Sequence, residues 1–148
     1  MEKHRKKLNR EYILWRISDW KNRLENLFND IKLWTNIFEK IEIKESMIPQ
    51  AREEFLQMFN IDPDSIPVMA ILFSKNRVSF VPMGLWVIGS NGRVNINTNK
   101  NQYILFDLGG KNGEPSQWTI VNPSKRKERI IFDKPILTKI IEDEALFT

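Results

Sequence analysis

From Leu8 to Ile43 the chain contains neither Pro nor Gly, and its apolar residues recur with a helical period. Ile13, Trp20, Leu27, Trp34 and Ile41 follow one another by sevens. Ile17, Leu24, Ile31 and Phe38 form a second series, offset so that the steps alternate between four and three. This a/d heptad pattern predicts one amphipathic helix over 8–43 with a single apolar seam. Tyr12, Leu14, Trp15, Phe28, Leu33 and Ile37 lie off the seam and widen the apolar face, which suits a helix covered on two sides. A straight helix of this length would run about 50 Å, well beyond a body of ~26 Å diameter. Part of it is therefore expected to overhang, with its seam covered by a second helix or a partner. The alternative is a helix that ends early, near Asn36, and packs on its own sheet, and residues 41–45 read as either helix or strand.

Residues 46–60 carry Ile48, Ala51, Phe55, Met58 and Phe59 at helical spacing, with Pro49 suited to a first turn. They predict a short helix ended by Asn60. Beyond it the period falls to two. Ile66–Phe73, Val78–Val81, Leu85–Ile88, Arg93–Thr98, Gln102–Leu108, Gln117–Val121 and Glu128–Phe132 read as strands within 66–132, with Asn91-Gly92 supplying a tight hairpin turn. Val94, Ile96 and Thr98 alternate with Asn95, Asn97 and Asn99, which gives that strand one solvated face. A C-terminal helix follows over 134–146, capped by Asp133. The expected fold class is α+β in one domain over 1–148: a long N-terminal helix, a short helix, an antiparallel β-meander of about seven strands as a curved sheet or partly closed barrel, and a C-terminal helix.

Val81-Pro82-Met83-Gly84, Val87-Ile88-Gly89 and Gly92-Arg93-Val94-Asn95-Ile96, after a Trp-rich N-terminal helix, resemble the pattern of a group of small uncharacterised bacterial proteins. The resemblance covers most of the chain and implies one integrated domain. It implies no activity, cofactor or site residue.

Composition narrows the chemistry. The 148 residues include no Cys and one His, His4, which excludes disulfide frameworks, thiolate zinc sites and Ser-His or Cys-His relays. Gly109-Gly110-Lys111-Asn112-Gly113 lacks the spacing of a phosphate loop and leads towards a strand, where a phosphate cradle would open a helix. Glu42-Ile43-Lys44 has the spacing of a metal-dependent nuclease motif without the Asp that would complete it. A non-enzymatic protein with no cofactor and no metal is expected. No apolar run is long enough to span a membrane, and the basic N-terminus lacks the apolar stretch of a signal peptide, so a cytoplasmic location is expected.

The net charge of +4 resolves into two clusters, Lys3, Arg5, Lys6, Lys7 and Arg10 in an N-terminal arm and Lys125, Arg126, Lys127 and Arg129 in a loop. Converging on one face, they would contact nucleic-acid phosphates in a sequence-tolerant, salt-sensitive way, with Tyr103 and Trp118 as the available stacking aromatics. The helix points elsewhere. Trp15, Trp20 and Trp34 are three of the five tryptophans, a residue enriched at interface hot spots. The leading expectation is a protein-protein interaction module or assembly subunit. In it Ile13, Ile17, Trp20, Leu24, Leu27, Ile31, Trp34 and Phe38 form a homodimer or dock on a partner. A toxin-neutralising, immunity-type binder is a variant of this reading, and nucleic-acid binding is the alternative.

Overall fold

The heptad helix forms, but it stops at Trp34. A computed structural model describes residues 9–51, 53–86, 90–110, 114–125 and 127–146. Helix α1 spans Arg10–Trp34, and the Asn9 side chain caps it by accepting from the Tyr12 N–H. At its other end the Thr35 hydroxyl donates to the Ile31 carbonyl at 2.8 Å. A single 3-10 turn, Thr35–Ile37, follows, and the chain reverses through Lys40, which adopts a φ of 57°. The expected helix over 8–43 is therefore too long, because Glu42–Pro49 is strand β1. Ile41 and Ile43 alternate with charged neighbours, and this period of two coincides with the seven-residue step from Trp34 to Ile41. Nor does α1 overhang: its buried residues run from Ile13 to Ile31, so nearly its whole length is covered.

The expected helix over 46–60 is displaced in the same way. Residues 46–49 complete β1, where Pro49 ends an edge strand that does not need its N–H, and helix α2 spans only Glu54–Met58. Asn60 ends the turn with a φ of 52°, a left-handed conformation that Asn tolerates.

Strands β2 (Ser65–Leu72), β3 (Arg77–Gly84), β4 (Arg93–Asn97), β5 (Gln102–Asp107), β6 (Trp118–Val121) and β7 (Arg129–Ile131) continue the meander. The seven antiparallel strands lie in chain order and the sheet is open, with β1 and β7 at its edges. Seven strands were expected; of the expected strand Leu85–Ile88 the described residues Leu85 and Trp86 are not in a strand, and β1 is a strand that was not expected. Leu85 and Trp86 leave the sheet, and their N–H groups donate to the Glu53 carboxylate at 3.1 Å; residues 87–89 lie outside the described residues. Asn91-Gly92 instead lies in the connection between β3 and β4, which pair with each other. Gly92 has a φ of 143°, and a Cβ there would fall on the Trp20 ring, so this position requires glycine.

Helix α3 (Lys134–Glu144) closes the chain, with Asp133 accepting from the Ile136 N–H as its N-cap. The inner sheet face, including Met69, Ile71, Val78, Phe80, Val94, Ile96, Leu105 and Ile120, packs with the α1 seam and with Leu137, Ile140 and Ile141 of α3 in one apolar cluster. Asn95 and Asn97 fall on the opposite face, but that face is not solvated as expected: Asn95 is buried and Asn97 half-buried. The strand registers gather the long connections 50–64, 85–92 and 108–117 at one end of the sheet, where α1 begins. Connections 73–76, 98–101 and 122–128 lie at the other end, where α3 finishes.

Candidate functional site

The seam is spent within the chain. Ile13, Ile17, Trp20, Leu24, Leu27 and Ile31 are all buried in the core. Trp34 and Phe38 are half-buried against Phe132 and Phe73, with ring centroids 5.6 and 6.4 Å apart. The expected intermolecular seam is thus corrected to an internal one, because an open sheet offers α1 a complete apolar face. Part of the off-seam set faces outward: Leu14, Trp15 and Leu33 on α1 and Ile37 in the turn after it remain exposed, whereas Phe28 is buried.

Beside the seam, α1 carries a buried ionic network that pattern reading missed. Arg16, Asp19 and Arg23 stand on one ridge at i, i+3 and i+7. Arg16 meets Asp19 at 2.9 Å, and Arg23 meets Asp19 at 2.7 Å and Asp107 at 2.8 Å. All five guanidinium donors of Arg23 are used: its Nε bonds Asp19, one Nη bonds Asp107 and Ser116, and the other bonds the Gly110 and Glu114 carbonyls. Asp107 is completely buried. It accepts from Arg23, the Ser116 hydroxyl and the N–H groups of Gly109 and Gln117. Asn91 extends the network by donating to the carbonyls of Gly109 and Gly110, while Arg16 donates to the Asn91 carbonyl. Burial alone would lower the Arg23 pKa, but its hydrogen bonds to Asp19 and Asp107 raise it; at Arg16 burial prevails and lowers it. Two cations and two carboxylates balance, and Arg23 and Asp107 have no bonding capacity left for a ligand. The network staples α1 to the 108–117 connection. The one local signal was the spacing of Arg16, Asp19 and Arg23 beside the seam.

The two basic clusters do not combine among the described residues. Lys3, Arg5, Lys6, Lys7 and Arg126 lie outside them. Arg10 donates to the Phe59 and Asn60 carbonyls at the end of the sheet where α1 begins, whereas Lys125, Lys127 and Arg129 belong to the opposite end. Nor are the stacking candidates free. Trp118 is buried against Trp20, with centroids 6.1 Å apart. The half-buried Tyr103 donates its hydroxyl to the Glu144 carboxylate.

That Tyr103–Glu144 pair lies in a groove of about 230 Å³ between α3 and the last strands. Ile120 and Ile130 form its floor and Ile136 and Ile140 its wall, with Lys125, Glu128, Lys139 and Asp143 along the rim. Glu144 also accepts from the Thr98 hydroxyl at 2.6 Å and the Asn101 amide at 3.0 Å. Burial, and then the bond to Glu144, raises the Tyr103 pKa, so the phenol stays neutral and remains a donor. The groove is mostly apolar with a few polar groups at its mouth, the usual make-up of a binding site. Its outer side is the short edge strand β7, where Ile130 is 47% and Ile131 56% exposed.

No family model, curated protein or solved structure matches this chain.

Among the described residues no cluster of three or more His, Asp or Glu could hold a metal ion, and no helix is long and apolar enough to cross a membrane. In the groove the Tyr103 hydroxyl is bonded to the Glu144 carboxylate, and Glu128 and Asp143 lie on the rim. What it can do chemically is bury apolar side chains, with Lys125 and Lys139 set among Glu128, Asp143 and Glu144 around them.

Proposed function

We propose that this protein is a protein-protein interaction module that engages a partner along β7 and the groove beneath α3. One observation carries the reading: the sheet stops at a three-residue strand whose two isoleucines stay exposed beside an isoleucine-lined groove. Apolar surface left at a free edge is costly in isolation, and partners cover such edges. The test is a photo-crosslinking residue placed at Ile131, with one at Lys75 for comparison, in the cell of origin. A discrete protein adduct is expected at Ile131 only, and it should disappear when Ile130→Glu is added. Equal adducts at both positions, or none at Ile131, would overturn the reading.

A second reading is homodimerisation through the outward side of α1, favoured by the exposure of Leu14, Trp15, Leu33 and Ile37. Sedimentation equilibrium at micromolar concentration would then show a dimer that Leu33→Glu dissociates. A monomer would remove this reading without touching the first.

A further inference from the structure

We propose that β7 accepts, as an eighth antiparallel strand, an extended segment of a partner protein that reads apolar, apolar, acidic. This rests on the interaction-module reading and names what the module holds.

The backbone of β7 sets the pairing. The Phe132 N–H donates to the Trp118 carbonyl at 2.8 Å, and Ile130 stands opposite Ile120. The two-residue alternation of an antiparallel ladder therefore turns Ile130 and Phe132 towards β6 and the N–H and C=O groups of Arg129 and Ile131 towards the open edge. Those four groups can receive a strand.

Side chains set the sequence that the strand would carry. Ile130 shares the inner face with Ile120, so a residue paired to Ile130 also points inward, over the Ile130, Ile136 and Ile140 surface of the groove. Residues paired to Ile131 and Arg129 point to the other face, one against an exposed isoleucine and one against a guanidinium. Since the added strand runs antiparallel, its order is apolar, apolar, acidic. The surroundings add to that charge preference: Lys125, Lys127, Arg129 and Lys139 make no ion pair among the described residues. The carboxylates beside them, Glu128, Asp143 and Glu144, number three against these four cations, which leaves the balance basic. The other edge differs. Exposed Glu42, Lys44 and Glu45 line β1 with both signs of charge, a common guard against strand addition.

Fluorescence anisotropy on the full chain tests this with a fluorescein-labelled heptapeptide, Ser-Thr-Val-Leu-Glu-Asp-Ser, and its counterpart Ser-Thr-Val-Leu-Lys-Lys-Ser. Saturable binding of the acidic peptide is expected, weaker by about tenfold or more for the lysine peptide. Ile131→Pro removes an N–H that the fold does not use, so it should weaken binding by about tenfold while the circular dichroism spectrum is unchanged. Should that variant misfold, N-methylation of the peptide Val reports the same loss from the ligand side. Arg129→Glu should reverse the preference between the two peptides. Absence of saturable binding, equal affinity for both peptides, or indifference to both backbone changes would overturn the proposal. Crosslinking at Ile131 separates the two levels: a partner adduct without peptide binding leaves the module standing and rejects the extended acidic strand.

Discussion

The two ends of the sheet handle charge in opposite ways. Where α1 begins, Arg16, Arg23 and Asp107 are buried and, with the half-buried Asp19, are bonded to one another and to loop carbonyls. At the β7 edge, Lys125, Lys127, Arg129 and Lys139 are exposed, and none forms an ion pair among the described residues. A charge taken out of water must find its partners within the fold, and once it has them it is no use to a ligand. A charge left in water contributes little to stability and stays available for recognition. The first end holds the molecule together, and the second is where it can meet something else.

Breaking the saturated end should have the largest effect. Arg23→Met strands Asp107 without a countercharge, and a buried pair broken on one side typically costs about 3–5 kcal/mol. Urea denaturation should show that loss, with the 108–117 connection becoming susceptible to protease. The same end contains an exception: Gln50 is buried, yet neither its amide nitrogen nor its oxygen has a partner among the described residues. Gln50→Met should therefore raise stability by about 1 kcal/mol in the same assay.

A smaller, pH-dependent effect is expected at Glu53. Burial raises its pKa despite the bonds from Trp86 and Leu85, so the folded state favours the protonated form more than the unfolded state does. The stabilisation is complete below the ordinary carboxylate range and is lost as pH rises through the raised value. Between about pH 4 and about pH 7 the wild type should lose stability relative to Glu53→Gln, whose denaturation midpoint should stay flatter. Smallest of all, Lys125→Gln with Lys139→Gln should change stability by less than about 0.5 kcal/mol, a direct contrast with Arg23.

Much of the fold was legible because apolar spacing is a local signal. Six of the nine seam residues are buried, Asp133 caps α3, Asn60 ends α2, and the meander after Ser65 follows the alternation of β2 to β6. The errors came where two periods coincide. Ile41 and Ile43 satisfy a helix and a strand equally, and only the reversal at Lys40 decides between them. Asn91-Gly92 looks like a hairpin turn, but the glycine is needed because Trp20 packs against it. The seam was read correctly as apolar but assigned to the wrong neighbour, since nothing in α1 itself says whether a sheet or a second chain covers it. The ionic network depends on partners 84 positions apart, Arg23 and Asp107, and no local spacing reveals such a pair. The groove was hidden for a related reason. It arises from the way α3 crosses the last strands, so its isoleucines read only as ordinary core positions.

Residue-resolved hydrogen exchange of the isolated chain tests the central claim, that β7 is a free edge. The amides of Ile130 and Phe132 should be protected by β6, while those of Arg129 and Ile131 exchange at near-random-coil rates. Protection of Ile131 comparable to that of Ile130 would contradict the account, since the edge would already be covered without a partner.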